Sequence, residues 1–305
     1  VQGGCLTERR AAGSGPGSHP SVESALLTDR GRVRPVNEDC FAFLESENIA
    51  AVADGAGGHR HGNRASRITV ETIEDCYLAS DIGQLMRSAR WVPRSLDGKA
   101  RRLLAAIQLA NYRLFRINAA ENGASEAVRD KMAAAFCALS VREGMCVVAH
   151  VGDVRAYRLR DGQLDRLTAD HLSLHKTEKD GQIVYQDYLN RVLGIEPSVR
   201  IDLNITECRT GDLFLVCTDG LHRMLSESEV LAGLEAARRD LHEGARDLID
   251  RANANGGADN ITVALTVFHG PDPRRDRIRT GFASIEPPKA ERGLGQALDR
   301  IYGAP

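Results

Sequence analysis

Four short apolar runs in this chain lead into or out of an aspartate. IAAVA runs into Asp54-Gly55, VVAHVG into Asp153 and LFLVCT into Asp219-Gly220, while GGADN sets Asp259 just before ITVALTVF. Such runs are candidate buried strands. An Asp-Gly pair is a common turn, and for each aspartate singly that reading stays open. Four at the ends of core strands raise a second reading, because strand ends are rigid and hold carboxylates in fixed geometry. Should they converge, their charges repel unless a cation lies among them. Hard divalent cations such as Mg²⁺ or Mn²⁺, which take oxygen ligands, meet that need. The glycines leave room for ion, water and substrate to approach the backbone. A fifth acidic pair, Glu38-Asp39, stands in RPVNEDCFAF. Spacing alone does not bring these groups together.

Around these runs the pattern is mixed. Residues 62–78 and 97–121 have helical spacing, the second through Leu103, Leu104, Ile107, Leu114 and Ile117. FCALSV and MCVVAHV read as a hairpin, and AYRLRDGQLDRLT as another with Asp161-Gly162 at its turn. Two helices over 226–254 and a closing strand, ITVALTVF, follow. Strands joined by tight hairpins favour an α+β fold with antiparallel sheets over a doubly wound parallel one. Residues 1–21, rich in Gly, Ser and Pro, read as a disordered lead. Residues 22–268 read as the folded domain, and 269–305 as a tail with little core of its own.

The 305 residues, 42% hydrophobic, suffice for one large core or two modest ones, and a net charge of −2 gives no overall basic field for nucleic acid. No run of about 18 apolar residues marks a membrane span. Seven scattered cysteines without a CxxC pair argue against zinc and for reduced thiols in a cytosolic protein.

RPVNED (34–39), VADGAGGH (52–59), HVGDVRAY (150–157), LTADH (167–171), CTDGL (217–221) and GGADNITV (256–263) occur in that order. Together they resemble the serial motifs of the type 2C, metal-dependent serine/threonine protein phosphatases (the PPM family) in their bacterial form, over about residues 22–268. The resemblance implies two stacked antiparallel sheets flanked by helices and a centre of two Mn²⁺ or Mg²⁺ ions, possibly joined by a third. It makes Asp54 the bridging ligand, the Gly55 carbonyl a backbone ligand, and Asp219 and Asp259 ligands of the second ion. Glu38 and Asp39 would hold metal-bound waters, Asp153 with Asp219 would match the third, weaker site, Arg34 would bind the substrate phosphate, and Asn260 would support the ligands. The implied activity is hydrolysis of phosphoserine and phosphothreonine in proteins by a metal-activated water, opposing a serine/threonine kinase in the cytoplasm, with neither nucleic acid nor membrane as partner.

The chain departs from the family pattern in places. Ala56 stands where many relatives carry a histidine proposed as general acid, leaving His59 and His61 as candidates. MAAAF (132–136) replaces a Gly and two hydroxyl residues, and Val154 replaces a serine. These departures leave open a catalytically weak or inactive scaffold of the same fold. Cys217 and Arg223 also show the C-x5-R spacing of cysteine phosphatases, but Asp219 between them would repel a phosphate. The arginines near 274–279 alternate with acids and read as a solvated tail.

Overall fold

A computed structural model of the chain describes residues 8–12, 22–57, 61–78, 92–93, 95–121, 131–142, 144–179, 182–270 and 280–287. Two six-stranded antiparallel sheets carry the fold. The first orders β1 (Glu8–Ala12), β2 (Val22–Asp29), β13 (Ile261–Phe268), β12 (Leu213–Cys217), β7 (Arg155–Arg160) and β8 (Gln163–Arg166). The second orders β14 (Gly281–Ile285), β11 (Ile201–Glu207), β6 (Met145–Val151), β5 (Ala133–Arg142), β4 (Ile49–Ala56) and β3 (Asp39–Leu44). A separate hairpin pairs β9 (Leu172–Lys179) with β10 (Gln182–Leu189).

Strand period dictates how these sheets stack. Phe41, Phe43, Ala50 and Val52 of one sheet meet Leu26, Phe214, Val216 and Ala264 of the other in a core between them. The alternate residues Cys40, Ala42, Ala51 and Ala53 turn outward onto α1 (His61–Leu78) and α2 (Gly98–Glu121). Leu213, Leu215 and Cys217 likewise turn outward, onto α4 (Glu227–Ala237) and α5 (Leu241–Ala254). Both faces of the central strands are thus buried, which is why their sequences are almost continuously apolar. The result is the expected α+β arrangement of two antiparallel sheets flanked by helices.

Some details differ from the sequence reading. The lead contributes β1, paired with β2, and its other residues lie outside the described ones. The tail contributes β14, paired with β11, with Ile285 reaching the outer core; the arginines at 274–279 are outside the described residues. Asp54 does not end its strand: β4 runs on to Ala56, so the turn reading fails there. The Asp161-Gly162 hairpin forms as expected, both residues at positive φ, 51° and 74°. Cys76, Cys137, Cys146, Cys208 and Cys217 are free and buried, whereas Cys40 is disulfide-bonded, against the expectation of reduced thiols.

Candidate metal centre

Register brings the first two carboxylates together. Asp39 on β3 lies directly opposite Asp54 on β4, and Asp54 is opposite Ala135 on β5. Like charges in cross-strand positions repel. By strand parity Asp39 shares the inward face of Phe41 and Phe43, and Asp54 that of Ala50 and Val52. Both therefore point between the sheets, toward the other sheet's strand ends. There Thr218 and Thr262 donate hydroxyl hydrogen bonds of 2.9 and 2.7 Å to Asp39 Oδ2. Asp219 opens the short helix α3 (Asp219–His222) straight after β12, and Asp259 precedes β13. Asp153 sits in the turn between β6 and β7.

The Asp39–Asp54 register, the threonine bonds to Asp39, and the contacts of Arg34 with Asp259 and of Arg223 with Asp153 and Asp219 bring these groups to one end of the sheets. Burial, followed by the charges of Asp39, Asp219, Asp153 and Asp259, pushes the Asp54 carboxyl well above its usual range. Burial raises Asp39 to about 7 against the two threonine bonds that favour its ionised form. Burial also lifts Asp219 to about 6, and Asp153 upward, with Arg223 opposing in both cases. Asp39 Oδ1 and Asp219 Oδ1 are buried without a hydrogen-bond partner. An oxygen-only donor set with orphaned, mutually repelling carboxylates fits hard divalent cations.

The surrounding loops are tightly held. Asn260 Oδ1 accepts from the Glu38 amide at 2.8 Å, and its Nδ2 donates to the carbonyls of Arg30 and Val36, so it grips the RPVNED loop. Arg34 Nη2 donates to Asp259 Oδ2 at 2.6 Å with nearly half its side chain exposed. The Gly55 amide donates to the Glu38 carbonyl, and a Cβ on Gly55 would lie 1.9 Å from the Gly62 carbonyl oxygen, so α1 enters too closely for any side chain. In MAAAF, Ala135 meets Gly152, where an added Cβ would lie 2.4 Å from that of Ala135. Small residues there let the Gly152 turn that carries Asp153 lie directly against β5.

Of the residues expected from sequence, Asp39, Asp54, Asp153, Asp219 and Asp259 gather at this end of the sheets, with Glu38, Gly55, Asn260 and Arg34 around them. His59 lies outside the described residues. His61 begins α1 and is half-buried. Cys217 is fully buried and its thiol is pushed up to about 12, so it cannot act as a thiolate nucleophile. The threonine pair on Asp39 has only a faint sequence signal: one residue directly precedes Asp219 and the other follows Asn260 by two positions. Arg223, at C-x5-R spacing from Cys217, reaches Asp219 at 3.0 Å and Asp153 at 3.6 Å.

A second group, His150, His171 and Asp202, offers ligand atoms within 4.8 Å of one another. Its atoms are already engaged. The Gly152 amide donates to His171 Nδ1, leaving Nε2–H to face Asp202 Oδ2 at 3.1 Å. Arg191 and Ser284 both donate to Asp202 Oδ1. With a guanidinium satisfying the carboxylate, this is a brace under the Asp153 turn and is separate from the carboxylate cluster.

Known proteins agree with this geometry. The family model for Protein phosphatase 2C matches residues 32–261. The serine/threonine phosphatase Stp of Listeria welshimeri is 34% identical over 255 residues, covering 80% of this chain and 95% of that protein. The protein phosphatase PhpP of Streptococcus pneumoniae is 27% identical over 262 residues, covering 82% and 99%. Among solved structures, the Mycobacterium tuberculosis serine/threonine phosphatase PstP/Ppp superposes with a TM-score of 0.64 at 25% identity, covering 82% of this chain and 99% of that one. The catalytic domain of PstP, solved in complex with two manganese ions, gives 0.64 at 26% identity, covering 83% and 100%.

Proposed function

The chain belongs to the protein phosphatase 2C family, and from that premise we propose that the carboxylate cluster at the Asp54 end of the sheets is its catalytic centre. The protein is a metal-dependent serine/threonine protein phosphatase that uses Mn²⁺ or Mg²⁺. The observation that carries the placement is the pair of buried, unpartnered oxygens, Asp39 Oδ1 and Asp219 Oδ1, within a set of carboxylates that raise one another's pKa. Asp54, the Gly55 carbonyl, Asp219 and Asp259 would hold two ions. When bound, such ions offset the negative charge of ligands and phosphate and acidify water.

The chain's own residues do the rest. Asp39, clamped by Thr218 and Thr262, presents its free Oδ1 to orient water, and Glu38 stands beside it on a backbone pinned by Asn260. Arg34 holds its guanidinium at the mouth, steadied by Asp259, where it can fork two hydrogen bonds onto a phosphate monoester. Attack in line on phosphorus needs positioning and charge stabilisation more than covalent help. A phosphoserine or phosphothreonine substrate requires a kinase to make it. We therefore assign the enzyme to signalling opposite a serine/threonine kinase, in the bacterial cytoplasm where ATP is available. Among the described residues no helix is long and apolar enough to cross a membrane.

The test is hydrolysis of p-nitrophenyl phosphate and of a phosphothreonine peptide, with Mn²⁺ and with EDTA, for the native chain, Asp54→Asn and Asp219→Ala. Activity should require Mn²⁺ and fall about 10³-fold or more in both variants, the loss of several kcal/mol of charge stabilisation. A folded native protein inactive with every divalent metal would overturn this reading in favour of a scaffold.

A further inference from the structure

We propose that Arg223 is a tethered cation that fills the gap between Asp153 and Asp219, so that the centre takes two divalent ions and admits a third at this gap only weakly. The proposal rests on the metal-centre reading above and concerns one corner of it. Asp153 and Asp219 are both buried, and a single guanidinium nitrogen reaches a carboxylate oxygen of each. Two such carboxylates need a positive charge. Arg223 supplies it from the C-cap of α3: Nη2 lies 3.0 Å from Asp219 Oδ2 and 3.6 Å from Asp153 Oδ2. Asp219 and Arg223 are four residues apart on a helical turn, the spacing at which such side chains meet. The backbone under Arg223 is fixed, since its amide donates to the Asp219 carbonyl and Leu221 beside it is fully buried.

Neighbouring arginines are committed elsewhere. Arg155 forks onto Asp170, which Arg166 also grips, and Arg34 bonds Asp259. A cavity of about 350 Å³, lined by Asp153, Arg155, Asp170, Asp187, His222 and Arg223, opens beside the gap. An ion could enter there, but it would have to displace the guanidinium and then face it at close range. With 56% of its side chain exposed, Arg223 can be displaced, so the competition weakens ion binding without abolishing it.

The experiment counts Mn²⁺ bound per folded chain, by equilibrium dialysis with metal analysis and by the free-Mn²⁺ EPR signal. It compares the native protein, Arg223→Ala, Arg223→Gln and the double variant Arg223→Ala with Asp153→Asn. The native chain should bind two ions and any third only weakly. Either single variant should bind a third about tenfold or more tightly, since a unit charge near 4 Å from the site is removed. Asp153→Asn should cancel that gain. An unchanged third-site affinity in both single variants, with two ions still bound by the native chain, overturns the role of Arg223 alone. A native chain that binds no Mn²⁺ overturns the metal-centre reading and this proposal with it.

Discussion

Asp54 stands among four other aspartates whose charges oppose its own. It is half-buried, faces Asp39 across the ladder and feels three further aspartates. Replacing it by Asn should therefore divide two properties. In EDTA the variant should melt higher than the native protein, and Mn²⁺, which stabilises the native chain, should no longer raise the melting temperature. Each kcal/mol corresponds to about 2–4 °C for a domain of this size. A variant that melts lower in EDTA and still responds to Mn²⁺ would remove Asp54 from the centre. Cys217 bears the opposite expectation. Because it is buried core with its thiol pushed up to about 12, Cys217→Ala should retain activity, apart from a modest stability loss seen in urea unfolding. Loss of turnover in a variant with native stability would revive a cysteine mechanism.

At the scale of elements, turns and caps differ in what they carry. Gly152 adopts φ +104° against Ala135, and the brace of His171 and Asp202 grips it through its amide. Gly152→Ala should cost about 1–3 kcal/mol from backbone strain and overpacking. It should also lower activity, because the turn carries Asp153. Ser226 caps α4 in an exposed reciprocal box with Glu229. Ser226→Ala should cost about 1 kcal/mol in urea unfolding and leave turnover unchanged. Equal activity losses in the two variants would show that stability alone governs turnover.

The whole molecule joins its two sheets through the charged end it must keep open. Without metal, burial pushes Asp39 up to about 7 and Asp219 up to about 6, and holds Asp54 and Asp153 above their ordinary value as well. Their ordinary value is 3.8, so the folded chain keeps protons that the unfolded chain releases. Their contribution is therefore fully present below about pH 4 and is lost as pH rises through 7. Burial holds His150, His171 and His222 below their ordinary value of 6.5, and they act in the opposite sense at lower pH. The carboxylate effect is isolated by difference: in EDTA, the melting-temperature advantage of Asp54→Asn over the native chain should grow from pH 4 to 7.5. Saturating Mn²⁺ should reverse it. A difference independent of pH would mean that the carboxylates do not titrate as a cluster.

The strands, their two-residue period and the antiparallel hairpins could be read from the sequence, because apolar runs and Asp-Gly turns are local chemistry. The carboxylates could be singled out for the same reason, each sitting where an apolar run meets glycine or a polar loop. Their convergence could not. It depends on the Asp39–Asp54 register and on one sheet's inward face meeting the other's strand ends, the second a contact between segments from Val22 to Phe268. The threonine clamp on Asp39 arises where β12 and β13 end beside β3, and Arg223 meets Asp153 only because α3 folds back over the β6–β7 turn. β1 and β14 came from segments read as lead and tail, since an edge strand needs only an open ladder and few apolar residues. Sequence determined which groups are present and which way each strand alternates. Tertiary structure decided which of them meet, because repulsion, hydrogen bonding and cation binding depend on distances that only packing sets.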